Sequence, residues 1–205
     1  METMTNLHIS QHALEQWLYQ MVNSKIEVFA PVHDGEKTDF RLLAFSDKVA
    51  DDYVQTTQSA KRFAFPKAEK LFSYRKEGKD VTLQERDLND FPEIVLWKVR
   101  PCDAAGFAPL IFNWDYKDNI YNARRDKITL VSFSCTRCDE YCFCTSVHGG
   151  PGNTEGSDIQ VTELPDRSAL VEILTPKGKL LIERFVQETT PADRIDKETY
   201  LASVP

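Results

Sequence analysis

The chain of 205 residues, with 41% hydrophobic and 28% charged residues, has the size and composition of one well-packed soluble domain. A formal charge of −7, with no Lys/Arg stripe interleaved with aromatics, argues against nucleic acid as a partner. No apolar run approaches the roughly 20 residues of a membrane span. The stretch Met1–Asn6 has neither the basic nor the apolar region of a secretory signal, so a reducing cytoplasm is the expected location.

Ser10 is placed to cap a helix over Gln11–Met21, whose apolar positions Leu14, Trp17, Leu18, Met21 and Val22 recur at three- and four-residue spacing. Lys25–Ala30 alternates like a strand that Pro31 ends, and Phe40–Phe45 reads as the returning strand after the turn His33–Glu36. Residues 1–58 thus read as a helix-plus-hairpin scaffold, with Ser46–Thr57 polar and without an assigned element.

Residues 59–185 read as the core of the same single domain. Ser59–Phe72 has two readings: an ordered loop with a few apolar anchors, or a basic loop in which Lys61, Arg62 and Lys67 cover a buried anionic centre. Tyr74–Asn89 is charged and expected to form an exposed excursion. Ile94–Val99 is a strand bounded by Pro92 and Pro101; Asp103 then caps a helix over Ala104–Ala108, with Pro109 as a bend. Tyr116–Arg125 is expected to be helical in part, and Ile128–Phe133 is again a β-rich apolar run. Strand, helix, strand at this separation predicts a parallel βαβ unit. After the glycine-rich Thr145–Asn153, Asp158–Leu164 and Leu170–Leu174 form an antiparallel pair across Pro165–Arg167. Lys179–Glu183 receives no assignment, and residues 186–205 read as a polar tail. The fold class is therefore α/β: a mixed sheet with a parallel βαβ core, an N-terminal helix and hairpin, and a late antiparallel strand pair.

Four of the five cysteines fall within ten residues, Cys135, Cys138, Cys142 and Cys144, and the fifth is Cys102. Cys102 and Cys135 each follow the carboxyl end of a predicted parallel strand, so they should converge on one sheet edge, where ligands usually bind. Three readings compete. A [4Fe–4S] cluster would use Cys102, Cys135, Cys142 and Cys144, with loop N–H groups bonding the sulfurs and Phe143 as a shield. Structural zinc would use the Cys135-x₂-Cys138 pair, although Cys142-x-Cys144 is cramped for it. A redox pair Cys135–Cys138 would need to open a helix, which Asp139 and Glu140 disfavour. Arg100, Arg124 and Arg125 are ordinarily surface or ion-pair residues; near a cluster, such charge would raise its potential. His148 reads as an exposed loop residue, and Gly149–Gly152 lacks the pattern of a phosphate loop and reads as a covering or subunit-contact loop. No nucleophile–base pair, substrate-pocket signature or dinucleotide fingerprint is present, so no catalytic residue is assigned.

The sequence resembles the amino-terminal domain of the iron–sulfur family that includes the sulfhydrogenase beta-subunit and the A-subunit of anaerobic sulfite reductase. The likeness runs through Lys61–Pro66, Glu69–Phe72, Arg100-Pro101-Cys102-Asp103, Tyr121–Arg125, Ser134-Cys135, Tyr141–Ser146 and Asp158. The resemblance implies one [4Fe–4S] cluster on Cys102, Cys135, Cys142 and Cys144, with Cys138 spare or an alternative ligand and Arg100 tuning the potential. It implies an electron-transfer subunit of a multisubunit oxidoreductase of anaerobic metabolism, of the hydrogenase, sulfur or sulfite reductase, or heterodisulfide reductase-like kind. Expected partners are a flavoprotein, ferredoxin-type, or hydrogenase or reductase subunit in a hetero-oligomer. Members of that family continue into a ferredoxin-like domain with Cys-x-x-Cys-x-x-Cys runs; none follows here before Pro205, so either the next carrier lies on another subunit or the chain is a shortened one. The alternative is a zinc-stabilised assembly subunit of a redox complex.

Overall fold

The computed structural model describes residues 5–113, 118–187, 189–191 and 197–202. Strand β1 (Thr5–Ile9) leads into helix α1 (Gln11–Val22), followed by β2 (Glu27–Asp34) and β3 (Lys37–Leu42). A 3-10 turn at Ala60–Phe63 precedes the hairpin β4 (Phe72–Glu77) and β5 (Asp80–Glu85). Then come β6 (Ile94–Val99), α2 (Pro101–Ala105), α3 (Ala108–Asn113), α4 (Asn119–Asp126) and β7 (Ile128–Phe133). The chain continues through β8 (Ile159–Glu163), β9 (Ala169–Ile173), α5 (Pro176–Phe185), β10 (Thr190–Pro191) and α6 (Lys197–Ala202). No described helix is long and apolar enough to cross a membrane.

One mixed sheet has the strand order β10-β1-β9-β8-β7-β6-β2-β3. Its centre is parallel, with β2, β6, β7 and β8 running the same way, while β3, β9, β1 and β10 join antiparallel. Every residue of β6 and β7 is buried, as expected where both faces of a parallel strand are covered. On one face α1 and α5 pack Trp17, Met21, Leu181 and Phe185 against Val95, Trp97, Val131 and Phe133. The rings of Trp17 and Trp97 meet edge-on at 4.8 Å. On the other face Ala104, Phe107 and Tyr121, from the β6–β7 connection, cover Leu96, Val99 and Leu130. The mixed α/β class, the parallel pair, the opening helix and hairpin, and the late antiparallel pair are as the sequence predicts.

Several local expectations are corrected. Pro31 does not end β2: the strand runs to Asp34 because its pairing with β6 stops at Phe29, so the missing N–H of Pro31 costs that ladder nothing. The Pro31 carbonyl is used, accepting from Ala50 N–H at 2.8 Å. The returning strand lies earlier than expected, at Lys37–Leu42, paired to β2 from Asp34↔Lys37 back to Phe29↔Leu42. Asp103 is not a cap: Arg100 holds that position and Pro101, whose fixed φ suits the first helical residue, starts α2. Tyr116 and Lys117 lie outside the described residues, and the helix from Asn119 is capped by the Asp118 carboxylate accepting from Tyr121 N–H at 2.8 Å.

The excursion expected over Tyr74–Asn89 is a separate exposed hairpin, β4–β5, followed by a 3-10 turn at Leu88–Asp90. Among the elements without a counterpart in the sequence expectations are β1 and α5. The Thr175 hydroxyl caps α5 with Pro176 at its first turn, so a stretch without an assignment is an amphipathic helix burying Leu181, Ile182 and Phe185. Beyond residue 186, β10 pairs with β1, and α6 buries Leu201 while Lys197 pairs with Glu172.

Candidate metal centre

The cysteine loop is itself the crossover between parallel strands. Residues 134–158 carry the chain from the end of β7 to the start of β8 with only a short 3-10 turn, Cys144–Val147, as regular structure. Parallel strands require such a crossover, and here it passes over α2 instead of forming a helix of its own. Gly156, at φ 76°, lies against Ala104 and Ala105 of α2. The Ser157 hydroxyl donates to Ser132 Oγ at 2.7 Å, and Asp158 locks the end of the loop. Its buried carboxylate accepts from Leu130 N–H at 2.8 Å and the Thr175 hydroxyl at 2.6 Å, with Lys177 Nζ 3.6 Å away. Asp158 therefore serves the fold, joining β7, β8 and α5.

Cys102 lies in the first turn of α2 just after β6, and Cys135 follows β7; both strands are parallel neighbours. Cys135 is half-buried and its N–H donates to the Pro151 carbonyl at 2.9 Å, which ties the start of the loop to its glycine-rich part. Gly149 N–H donates to the Cys144 carbonyl at 2.9 Å, and Asp139 N–H donates to Cys142 Sγ at 3.4 Å. That last bond is the kind of backbone donor to sulfur expected from the loop. Gly152 packs on the chain's own α6, where a Cβ would lie 2.4 Å from Leu201 Cδ1, so this end of the Gly149–Gly152 run is already covered from within the chain.

The thiols form one electrostatic neighbourhood. Burial pushes the Cys135 thiol up to about 11; Arg100 opposes this, and Cys102, Cys144 and Cys142 each add to it. Burial also raises Cys102, helped by Asp103 and by Cys144. For Cys142 the Asp139 N–H favours the thiolate, but partial burial and the charges of Asp139 and Cys138 outweigh it and leave the thiol raised. Cys135 thus feels Cys102, Cys144 and Cys142, Cys102 feels Cys144, and Cys142 feels Cys138. Among the described residues, no three His, Cys, Asp or Glu side chains stand close enough together to hold a metal ion.

Arg100 supplies the test of fit. It is 5% exposed, its Nε has no hydrogen-bond partner, and among the described residues no carboxylate lies within ion-pair distance of it. Asp103 is near enough to act on it electrostatically but forms no ion pair with it, and a buried cation so weakly compensated suits an anionic group beside Cys135. Four thiolates around iron and sulfide would carry that charge, and thiols are the donors such a cluster takes.

Arg124 and Arg125 sit elsewhere, at the end of α4 where β7 begins. Arg124 pairs with Glu69 and donates to the Ala64 carbonyl at 2.7 Å, and Arg125 donates to the Ile128 carbonyl at 3.0 Å. Of the basic loop, Arg62 donates to the Phe40 carbonyl at 2.6 Å and Lys67 is exposed, while Lys61 lies against Gly106 and acts on Asp103. His148 is exposed, at φ 60° after the 3-10 turn. Phe143 is 68% exposed, with Tyr141 and Val147 similarly bare, so within this chain it shields nothing. Sequence reasoning missed Tyr53, which lies beneath Arg100; a lone aromatic in a polar stretch gave no periodic signal.

No protein-family model matches the chain, and no solved structure matches it. It is similar to Sulfhydrogenase 2 subunit beta of Pyrococcus furiosus, with 31% identity over 153 residues, 74% of this chain and 43% of that protein. The chain thus spans less than half the length of the curated relative it matches.

Proposed function

We propose that this chain is an electron-transfer iron–sulfur subunit of a multisubunit oxidoreductase, of the hydrogenase or sulfur-reducing kind that its similarity to a sulfhydrogenase beta subunit suggests. Cys102, Cys135, Cys142 and Cys144 hold one [4Fe–4S] cluster, Cys138 is the spare thiol, and Arg100 tunes the centre. The observation that carries this reading is a buried Arg100, with no carboxylate at ion-pair distance among the described residues, acting on Cys135 at the edge where the parallel neighbours β6 and β7 also end beside Cys102. Bound there, such a cluster supplies one-electron chemistry. The chain's own residues do the rest: the strand ends fix Cys102 and Cys135, the loop N–H of Asp139 bonds Cys142, and Arg100 favours the more negative state.

With the cluster as its only redox group, the chain has to take electrons from one neighbour and give them to another. The exposed Tyr141, Phe143 and Val147 on the cysteine loop are the apolar contact for a partner of flavoprotein, ferredoxin or reductase type, in the cytoplasm. Metal and sulfide analysis after anaerobic purification tests the reading. About four irons with acid-labile sulfide and a brown colour are expected. A colourless protein with one zinc would replace it with the structural alternative, in which the chain only helps hold redox subunits together.

A further inference from the structure

Arg100 is not held by an ion pair, yet its position is fixed. Its guanidinium carbon lies 4.1 Å from the centroid of the Tyr53 ring, and Tyr53 is itself 3% exposed. The Tyr53 hydroxyl donates to the carbonyl oxygen of Lys98. Lys98 is the extra residue of a bulge in β6: Trp97 pairs with Val131 and Val99 with Ser132, leaving Lys98 unpaired at φ 63°. A long side chain at positive φ is strained and persists only where its surroundings fix it. Here they do, because Lys98 Nζ is buried between Asp51, at 2.5 Å, and Glu163, at 3.4 Å.

The bulge has a directional result. Strict alternation would put Val99 on the α1 side with Trp97, but the extra residue returns Val99 to the α2 side with Leu96. Arg100 then leaves the strand on the opposite side from Val99, over Tyr53. Ring, hydroxyl bond and bulge together hold one cation, without a carboxylate at ion-pair distance among the described residues, at the cysteine edge.

We propose that Tyr53 is a positioning residue that sets the potential of the one-electron centre by fixing Arg100 against Cys135. The inference rests on the cluster reading above. A cation held close to the centre favours its reduced form, and a guanidinium freed from its stack swings into water and loses that effect.

The test is an anaerobic redox titration, followed by visible absorption and electron paramagnetic resonance, on the full chain with iron content checked for each variant. Arg100→Gln and Tyr53→Leu should each keep the cluster and lower the reduced-to-oxidised ratio at fixed potential by at least tenfold, about 59 mV for a one-electron couple. In the Arg100→Gln background, Tyr53→Leu should add less than a twofold change. Tyr53→Phe keeps the packing and removes only the tether, so it should shift the ratio in the same direction by at least twofold; this variant decides the matter where Tyr53→Leu fails to fold. A wild-type potential in Tyr53→Phe, or a Tyr53→Leu shift undiminished by Arg100→Gln, would overturn the positioning role and leave the cluster reading standing. A wild-type chain that takes up no iron would overturn both, and the iron content distinguishes that failure from the first.

Discussion

A Cβ added to Gly156 would lie 2.1 Å from the carbonyl oxygen of Ala104, and the glycine is at φ 76°, where side chains are disfavoured. The crossover carrying four cysteines is seated at this contact on the helix carrying the fifth. Gly156→Ala should therefore destabilise the fold by about 3 kcal/mol in urea unfolding and weaken retention of any bound metal. Unfolding within about 0.5 kcal/mol of wild type would mean that the loop is not seated there.

Exchange of single cysteines tests the ligand set. Cys138→Ser should retain the full iron and sulfide content if Cys102 completes the set from the end of β6. Cys102→Ser should lose it, having removed the donor at the end of β6. The reverse pattern would point to the all-local set Cys135, Cys138, Cys142 and Cys144.

Salt separates the two cations near the site. Arg100 is buried, so the shift in potential caused by Arg100→Gln should persist at about 1 M salt, where the screening length is about 3 Å. Lys61 is only half-buried beside α2, and the smaller shift from Lys61→Gln should fade over the same range. Equal fading for both would place Arg100 in contact with solvent.

Asp158→Ala should cost about 3 kcal/mol, because Leu130 N–H and the Thr175 hydroxyl lose a buried acceptor and Lys177 its counter-charge. Asp158→Asn, which keeps an acceptor oxygen, should cost about 1 kcal/mol. Neither change should move the potential of a cluster in the folded protein, and a shift would bring Asp158 into the site.

The central strands were legible because Ile94–Val99 and Ile128–Phe133 are mostly apolar, β-rich runs, and their parallel pairing then implied that Cys102 and Cys135 share an edge. What stayed illegible depends on a partner strand or a distant neighbour. The Lys98 bulge is a mismatch between β6 and β7, and no pattern within β6 announces it. Pro31 reads as a stop until β6 is seen to part from β2 at Phe29. In α5, Lys179–Glu183 drew no assignment, although the Thr175-Pro176 start was a helix signal in plain view. Strand β1 is five residues whose apolar Leu7 and Ile9 mean little until β9 lies beside them.

The placement of the cysteines also gives the site a history. In a chain still emerging and unpaired, Cys135, Cys138, Cys142 and Cys144 are already neighbours, whereas Cys102 joins them only once β6 and β7 lie side by side. Metal delivered before β6 and β7 pair would meet only the local four, Cys138 among them; metal delivered afterwards would also find Cys102 at the strand end.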